Sequence, residues 1–158
     1  MLVHYLHHLS DETKSRFGPH AFDMPGLINF YNSSNTIHGF IAEDIPCREI
    51  IGYTVIKEGV LEHDRGRLAQ YGYPNLDNKC CTYAPSVADK WQGKGIGKML
   101  FQFILGYCEQ LQIDKIILWG GVQSTNERAV NFYKQLGFVT LGTFEYNGLN
   151  QDMVLAIG

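Results

Sequence analysis

Three glycines on alternate positions, in Gln92-Gly93-Lys94-Gly95-Ile96-Gly97-Lys98, run straight into Met99-Leu100, Phe103-Ile104, Tyr107 and Leu111, an apolar series at helical spacing that reaches back to Ile96. A helix therefore begins inside a glycine turn. Its first backbone N–H groups have no acceptor within the helix, and the macrodipole puts partial positive charge at the same end. Glycines let a bulky anion come close to those groups, and Lys94 and Lys98 add charge, so the stretch reads as a seat for a diphosphate. The plain alternative for a glycine turn on its own is a connection that binds nothing. A P-loop needs four residues between its glycine and Gly-Lys and then Ser or Thr, whereas Gly93 to Gly97 encloses three and Met99 follows Lys98. The dinucleotide fingerprint G-x-G-x-x-G fails too, because the third glycine comes one residue early and the turn sits mid-chain. What remains is Gln-x-x-Gly-x-Gly.

At 158 residues, the chain suits one compact domain spanning 1–158 with a single sizeable core. Hydrophobic content of 45% against 18% charged residues belongs to a globular protein rather than a disordered one. A net charge of −3 supplies no basic field for nucleic acid, which is not expected as a partner. The start, Met1 to His8, lacks the basic region and apolar core of a secretory signal, and no run approaches membrane-spanning length. A cytoplasmic protein with no membrane partner is the expectation. Cys47, Cys80, Cys81 and Cys108 show no C-x-x-C spacing and read as buried or half-buried free thiols. The histidines are scattered or clustered without carboxylates, so no metal site is expected.

In order, Leu2 to His8 reads as a strand, and Ser10 as the N-cap of a short helix ending near Phe17-Gly18-Pro19. A second short helix runs through Leu27, Ile28, Phe30 and Tyr31. His38 to Glu43 and Ile50 to Val60 read as strands. Leu61 to Asn78 shows no periodicity and reads as a long loop, functional or flexible. Lys79 to Val87 reads as the central strand, with Pro85 marking a bulge or a place where ladder bonding stops. Lys115 to Trp119 is a buried strand ended by Gly120-Gly121. Ser124-Thr125-Asn126-Glu127 fits a capping box ahead of a helix closed by Gly137. Asn147-Gly148 joins the last two strands in a hairpin.

Three stretches together resemble the GNAT superfamily of acyl-CoA-dependent N-acyltransferases. They are Val87-Ala88-Asp89-Lys90-Trp91 leading into the glycine turn, the turn itself, and Asn126-Glu127-Arg128-Ala129-Val130-Asn131-Phe132-Tyr133 followed by Leu136-Gly137-Phe138, similar to the family's N-x-x-A-x-x-F-Y ending in G-F. The resemblance implies an α/β fold: a mixed central β-sheet of about seven strands flanked by about four helices, with a splayed central strand pair. It implies that the whole chain is one N-acetyltransferase domain, an enzyme moving an acetyl group from acetyl-CoA to a primary amine through a tetrahedral intermediate. The alternative is an acyl-CoA-binding sensor or partner subunit without turnover.

By the same resemblance, backbone groups of Pro85, Ser86 and Val87 bond the cofactor's pantetheine arm, Gly93, Lys94, Gly95, Ile96, Gly97 and Lys98 hold its pyrophosphate, and Gln92 braces the loop. Asn126 matches a position that contacts the arm, and Tyr133 matches the usual general acid, a phenol that stays protonated at neutral pH. Aromatic residues of the first two helices, Phe22, Phe30 and Tyr31, fall where the family covers its acceptor. Relatives that acetylate protein N-termini often carry a glutamate where this chain has Gly121. Deprotonation then falls to another group, to water relayed to solvent, or to an acceptor whose own pKa is already low; among groups, His63, Glu62 and Asp64 in the long loop and Glu145 on the hairpin are the candidates, His63 preferred. The acceptor is a small-molecule or protein amine, and a homodimer is a possible assembly, being frequent in that family.

Overall fold

The structure, a computed structural model, describes residues 1–76 and 79–158. Among them are six α-helices and a seven-stranded mixed sheet in the order β1-β2-β3-β4-β7-β5, with β6 also paired to β7. The chain forms two compact units, Met1–Ile56 with Ala84–Ile104, and Lys57–Tyr83 with Leu105–Gly158. The sheet and helix pattern is the expected mixed α/β class, with more helices than the four anticipated.

The first unit opens on three short helices, α1 (Leu2–His7), α2 (Asp11–Arg16) and α3 (Met24–Asn32). The strand expected over Leu2 to His8 is therefore a helix. Leu2, Leu6 and Leu9 recur at helical spacing, and Tyr5, Leu6 and Leu9 are each buried, which outweighs the β-branched and aromatic character of so short a segment. Ser10 caps α2 by accepting the Thr13 N–H, and Asp23 caps α3 by accepting that of Gly26. Then come β1 (Ile37–Asp44) and β2 (Glu49–Glu58), the latter buried from Ile50 through Ile56. Helix α5 (Ile96–Gln110) starts here and buries Leu100, Phe101 and Ile104, leaving Met99 and Phe103 exposed. Its core face is thus turned slightly from the expected one. Leu100 packs with Ala42 and Ile51. A Cβ at Gly52 would meet Leu100 Cδ1 at 2.7 Å and Ile96 Cγ2 at 3.2 Å, so the bare backbone of β2 is what lets the start of α5 come so near.

In the second unit, β3 (Cys80–Val87) pairs in parallel with β4 (Lys115–Leu118), from Cys80↔Lys115 to Tyr83↔Leu118. Strand β7 (Leu149–Ala156) then serves three partners. Along one side lies β6 (Val139–Glu145); because Gln151 and Val154 each face a second partner, β4 and the two-residue β5 (Val122–Gln123) must follow one another along the other side. Gly120 and Gly121, at φ 65° and 71°, turn the chain between β4 and β5. The β6–β7 connection has positive φ at Asn147 and Gly148, as expected of that dipeptide, and the strands close at Glu145↔Leu149.

Leu61 to Asn78 is not a featureless loop. It holds a 3₁₀ turn at Glu62–Asp64 and α4 (Arg65–Gln70), with Leu61, Leu68 and Leu76 buried; its last two residues, Asp77 and Asn78, lie outside the described residues. Polar letters hid the segment because its anchor is ionic. Arg67 bonds both oxygens of Asp152 on β7, donates to Asp64 at 2.8 Å, and lies 3.6 Å from the centre of the Phe144 ring. Asp64 and Asp152 are 3% and 1% exposed, so Arg67 is the counter-charge for two buried carboxylates. Of the cysteines, Cys80, Cys81 and Cys108 are buried as expected, whereas Cys47 is exposed.

Arg67→Met, which keeps the apolar stem and removes the charge, should cost about 3 kcal/mol, toward the low end for a broken buried pair because the Arg67 side chain is 20% exposed. Urea unfolding followed by far-UV circular dichroism measures it; an unchanged midpoint would remove Arg67 from the account of this segment.

Candidate functional site

The glycine turn takes the shape its letters require. Gly93 and Gly95 have φ of 74° and 86°, a left-handed backbone that other residues enter at a cost. The first helical bond of α5 runs from Met99 N–H to Gly95 O at 3.0 Å, so the N–H groups of Ile96, Gly97 and Lys98 precede any intrahelical acceptor. A Cβ on Gly95 would meet nothing within 4 Å, so the backbone there is open to an incoming group. Lys94 and Lys98 are exposed, and Lys94 Nζ lies 5.1 Å from the centre of the Trp91 ring. Together these place open backbone and two lysines at the start of a fifteen-residue helix, an arrangement that can cradle an anion.

The cradle is held from behind. Gln92 donates from Nε2 to Val87 O at 3.1 Å, tying the loop's entry to the end of β3, and Ala88 N–H donates to Ile51 O at 2.9 Å. Asp89 accepts from Ser10 N–H (2.9 Å), Ser10 Oγ (2.7 Å) and Thr13 Oγ1 (2.8 Å), which fixes the N-terminus of α2 to the 3₁₀ turn Asp89–Trp91. Burial opposes ionisation of Asp89, but the bonds from Ser10 and Thr13 outweigh it and hold the carboxyl below its ordinary value. Sequence reasoning found the Ser10 cap and missed this partner.

Just upstream, Pro85 and Val87 are half-buried while Ser86 between them is buried. The Ser86 hydroxyl bonds Tyr5 OH at 3.0 Å and donates to Tyr53 O at 3.2 Å. Its side chain therefore faces the unit's interior, and a ligand beside β3 would meet its backbone. Around Tyr53 gather Phe17, His20, Phe22, Phe30 and Tyr31. Tyr53 OH is bonded to His20 Nε2 at 2.8 Å and to Tyr31 OH at 2.7 Å. His20 escaped the sequence reading because nothing near it in the chain signals a partner thirty-three residues on.

Asn126, Tyr133 and His63 belong to the second unit. Asn126 is the N-cap of α6 (Glu127–Gln135), its Oδ1 accepting the Ala129 N–H at 3.3 Å; the cap lies two residues beyond the expected Ser124. Helix α6 closes with Gly137 N–H on Lys134 O and Phe138 N–H on Tyr133 O, with Gly137 at φ 97°, the glycine stop its sequence implies. Tyr133 is 9% exposed, its ring against Phe132 and Phe138, and burial raises its phenol well above the ordinary value. It is a protonated donor throughout the neutral range. His63 is three-quarters exposed, with Nε2 3.5 Å from Asp64 Oδ1. Of the other candidate bases, Glu62 is exposed and paired with Arg65, Asp64 is engaged by Arg67, and Glu145 is exposed.

Gly121 has φ 71°, and a Cβ there would lie 2.7 Å from Gln151 O and 2.9 Å from Phe144 Cε1. A carboxylate at this position is barred by backbone on one side and a ring on the other. Among the described residues, no group of three or more His, Cys, Asp or Glu is placed to hold a metal ion, and no helix is long and apolar enough to cross a membrane.

A family model described as the acetyltransferase (GNAT) family matches residues 4–138. No curated protein matches the chain significantly. Among solved structures, the GNAT domain of S. lividans PAT superposes with TM-score 0.71 at 18% identity, covering 99% of this chain and 83% of that one. The spermidine/spermine N-acetyltransferase SpeG of Vibrio cholerae, in complex with manganese ions, gives TM-score 0.63 at 25% identity, over 98% of this chain and 86% of its own.

Gly121→Glu, which would supply the glutamate absent from this chain, should lower stability by about 2 kcal/mol or more, the left-handed backbone and the crowding both contributing. Thermal unfolding reads this directly; a variant as stable as the parent would show that the turn can rebuild itself around a side chain.

Proposed function

The chain belongs to the acetyltransferase (GNAT) family and is by that membership an acyltransferase, and from this premise we propose that residues 1–158 work as one domain that transfers an acetyl group from acetyl-CoA to a primary amine. The observation that carries the donor is the left-handed Gly93/Gly95 turn opening α5. It supports a diphosphate held by the N–H groups from Gly93 to Lys98, with Lys94 and Lys98 contributing charge and Gln92 holding the loop in place. The backbone of Pro85, Ser86 and Val87 would hold the pantetheine arm, with Pro85 offering only its carbonyl because it has no N–H. Asn126, its Oδ1 engaged by the cap, would offer its amide NH₂.

Acetyl-CoA supplies an activated thioester carbonyl. A neutral amine attacks it directly, through a tetrahedral intermediate, and the C–S bond breaks as the sulfur takes a proton. Tyr133 is the donor we assign to that sulfur, since burial keeps its phenol protonated at neutral pH, with an O–H to offer. A cationic aliphatic amine is the acceptor class we place first, because SpeG, a spermidine/spermine acetyltransferase, is similar over nearly the whole chain.

Thermal unfolding with acetyl-CoA, CoA, ATP and NAD tests the donor: a ligand at ~100 times its dissociation constant adds about 2.7 kcal/mol. A rise in Tm with the two CoA species alone is expected; no rise with either would sink the assignment. Tyr133→Phe should leave that rise intact and lower kcat by about 10²-fold or more. Equal kcat in the variant would remove Tyr133 from the chemistry, and no turnover in either protein would favour a binding protein.

A further inference from the structure

We propose that Tyr31, Tyr53 and His20 form a proton-conducting chain that deprotonates a protonated amine acceptor, with His20 Nε2 as its terminus. The proposal rests on the acetyl-transfer reading above. Its direction is fixed by the bonds themselves. His20 Nδ1 lies 2.8 Å from the carbonyl oxygen of Ala21, which only accepts, so Nδ1 carries the ring proton and Nε2 presents a lone pair. Tyr53 OH, 2.8 Å away, must donate to that lone pair. Its oxygen then accepts from Tyr31 OH at 2.7 Å. All three bonds point toward the imidazole, and the Tyr31 oxygen, on a half-buried residue, keeps lone-pair capacity for a donor at the outer end.

When an ammonium donates to Tyr31, the N–H bond breaks and its electron pair stays on nitrogen, which becomes the nucleophile. The proton joins the Tyr31 oxygen, the Tyr31 proton passes to Tyr53, and the Tyr53 proton passes to Nε2. Each phenol ends with one proton but with its O–H reversed, and His20 becomes an imidazolium donating to both Ala21 and Tyr53; loss of the extra proton to solvent and rotation of the two hydroxyls restore the starting chain. Nothing is oxidised or reduced.

The surroundings suit a neutral acceptor of protons. Among the described residues, the titratable group against the imidazole is the phenol of Tyr53 on β2, itself bonded to Tyr31 of α3 and edge-on to Tyr5 of α1; Phe17, Phe22 and Phe30 supply apolar rings. Burial lowers the imidazole below the ordinary histidine value, so it stands unprotonated at neutral pH. The chain is also fastened to the strand assigned to the acyl donor, because the Tyr53 carbonyl accepts the Ser86 hydroxyl. The Tyr31 hydroxyl is fixed by close packing over Gly39, where a Cβ would overlap it.

The test compares His20→Gln, Tyr31→Phe and His63→Gln with the parent, using spermidine, an ammonium at assay pH, and an arylamine, which is neutral there. With spermidine, the parent's kcat/KM should level off above a pKa lower than the ordinary histidine value. His20→Gln should fall about 10²-fold at neutral pH and climb about tenfold per pH unit without levelling, following the free amine. Tyr31→Phe, which keeps the ring and its packing, should show the same loss. With the arylamine, both should stay within about threefold of the parent. Equal losses on both acceptors, undiminished rates with spermidine, or the pH limb vanishing in His63→Gln instead would overturn the relay. A parent that transfers acetyl to neither acceptor would overturn the acetyl-transfer reading itself, and the relay with it.

Discussion

Where α5 begins decides what the first unit is able to do. A helix of ordinary entry would have its early N–H groups met by a side-chain cap, as α2 and α3 do with Ser10 and Asp23. Here two left-handed glycines carry the chain in without offering a side-chain oxygen, so the helix's own partial charge stays exposed at the turn. Such an entry is intrinsically loose, because glycine gives up more backbone freedom than any other residue on ordering. Its rigidity is imported: from Gln92 on the end of β3, from Asp89 clamped to Ser10 and Thr13, and from the tight seat of Leu100 and Ile96 over Gly52. The loop that would meet an anion is thus built from backbone and stiffened by side chains.

The two units treat buried polarity in opposite ways. Around Tyr53, every polar group is neutral and each hydrogen bond hands its direction to the next, which keeps desolvation cheap and leaves a proton free to move. Around Arg67, two buried carboxylates share one guanidinium, an arrangement that holds α4 firmly and resists any change of charge. The first kind of network suits chemistry, the second suits anchoring.

Most of the sheet and helices α3, α5 and α6 were legible in the letters, because β2, β3, β4 and α5 carry runs or periods long enough to outvote local ambiguity. Short elements were not. In α1 a mere six residues decide between strand and helix, and burial of Tyr5 and Leu6 goes with a bond from Tyr5 to Ser86, eighty-one residues away. Helix α4 is polar for its length and owes its place to an arginine reaching a carboxylate eighty-five residues away, which no periodicity announces. The glycine turn was readable because a backbone cradle needs particular residues at particular positions. The Tyr31–Tyr53–His20 chain was not, since its members are common aromatics that any core would use.

Gly121 constrains the routes by which such a chain changes. A residue with a side chain there meets Gln151 main chain and the Phe144 ring at once, and Phe144 is also the ring beneath Arg67. A lineage that came to place a carboxylate at this turn would first have to release Phe144, and with it the packing of the arginine that neutralises Asp64 and Asp152. Each such step passes through a less stable protein, so Gly121 and the arginine resting on Phe144 hold each other in place.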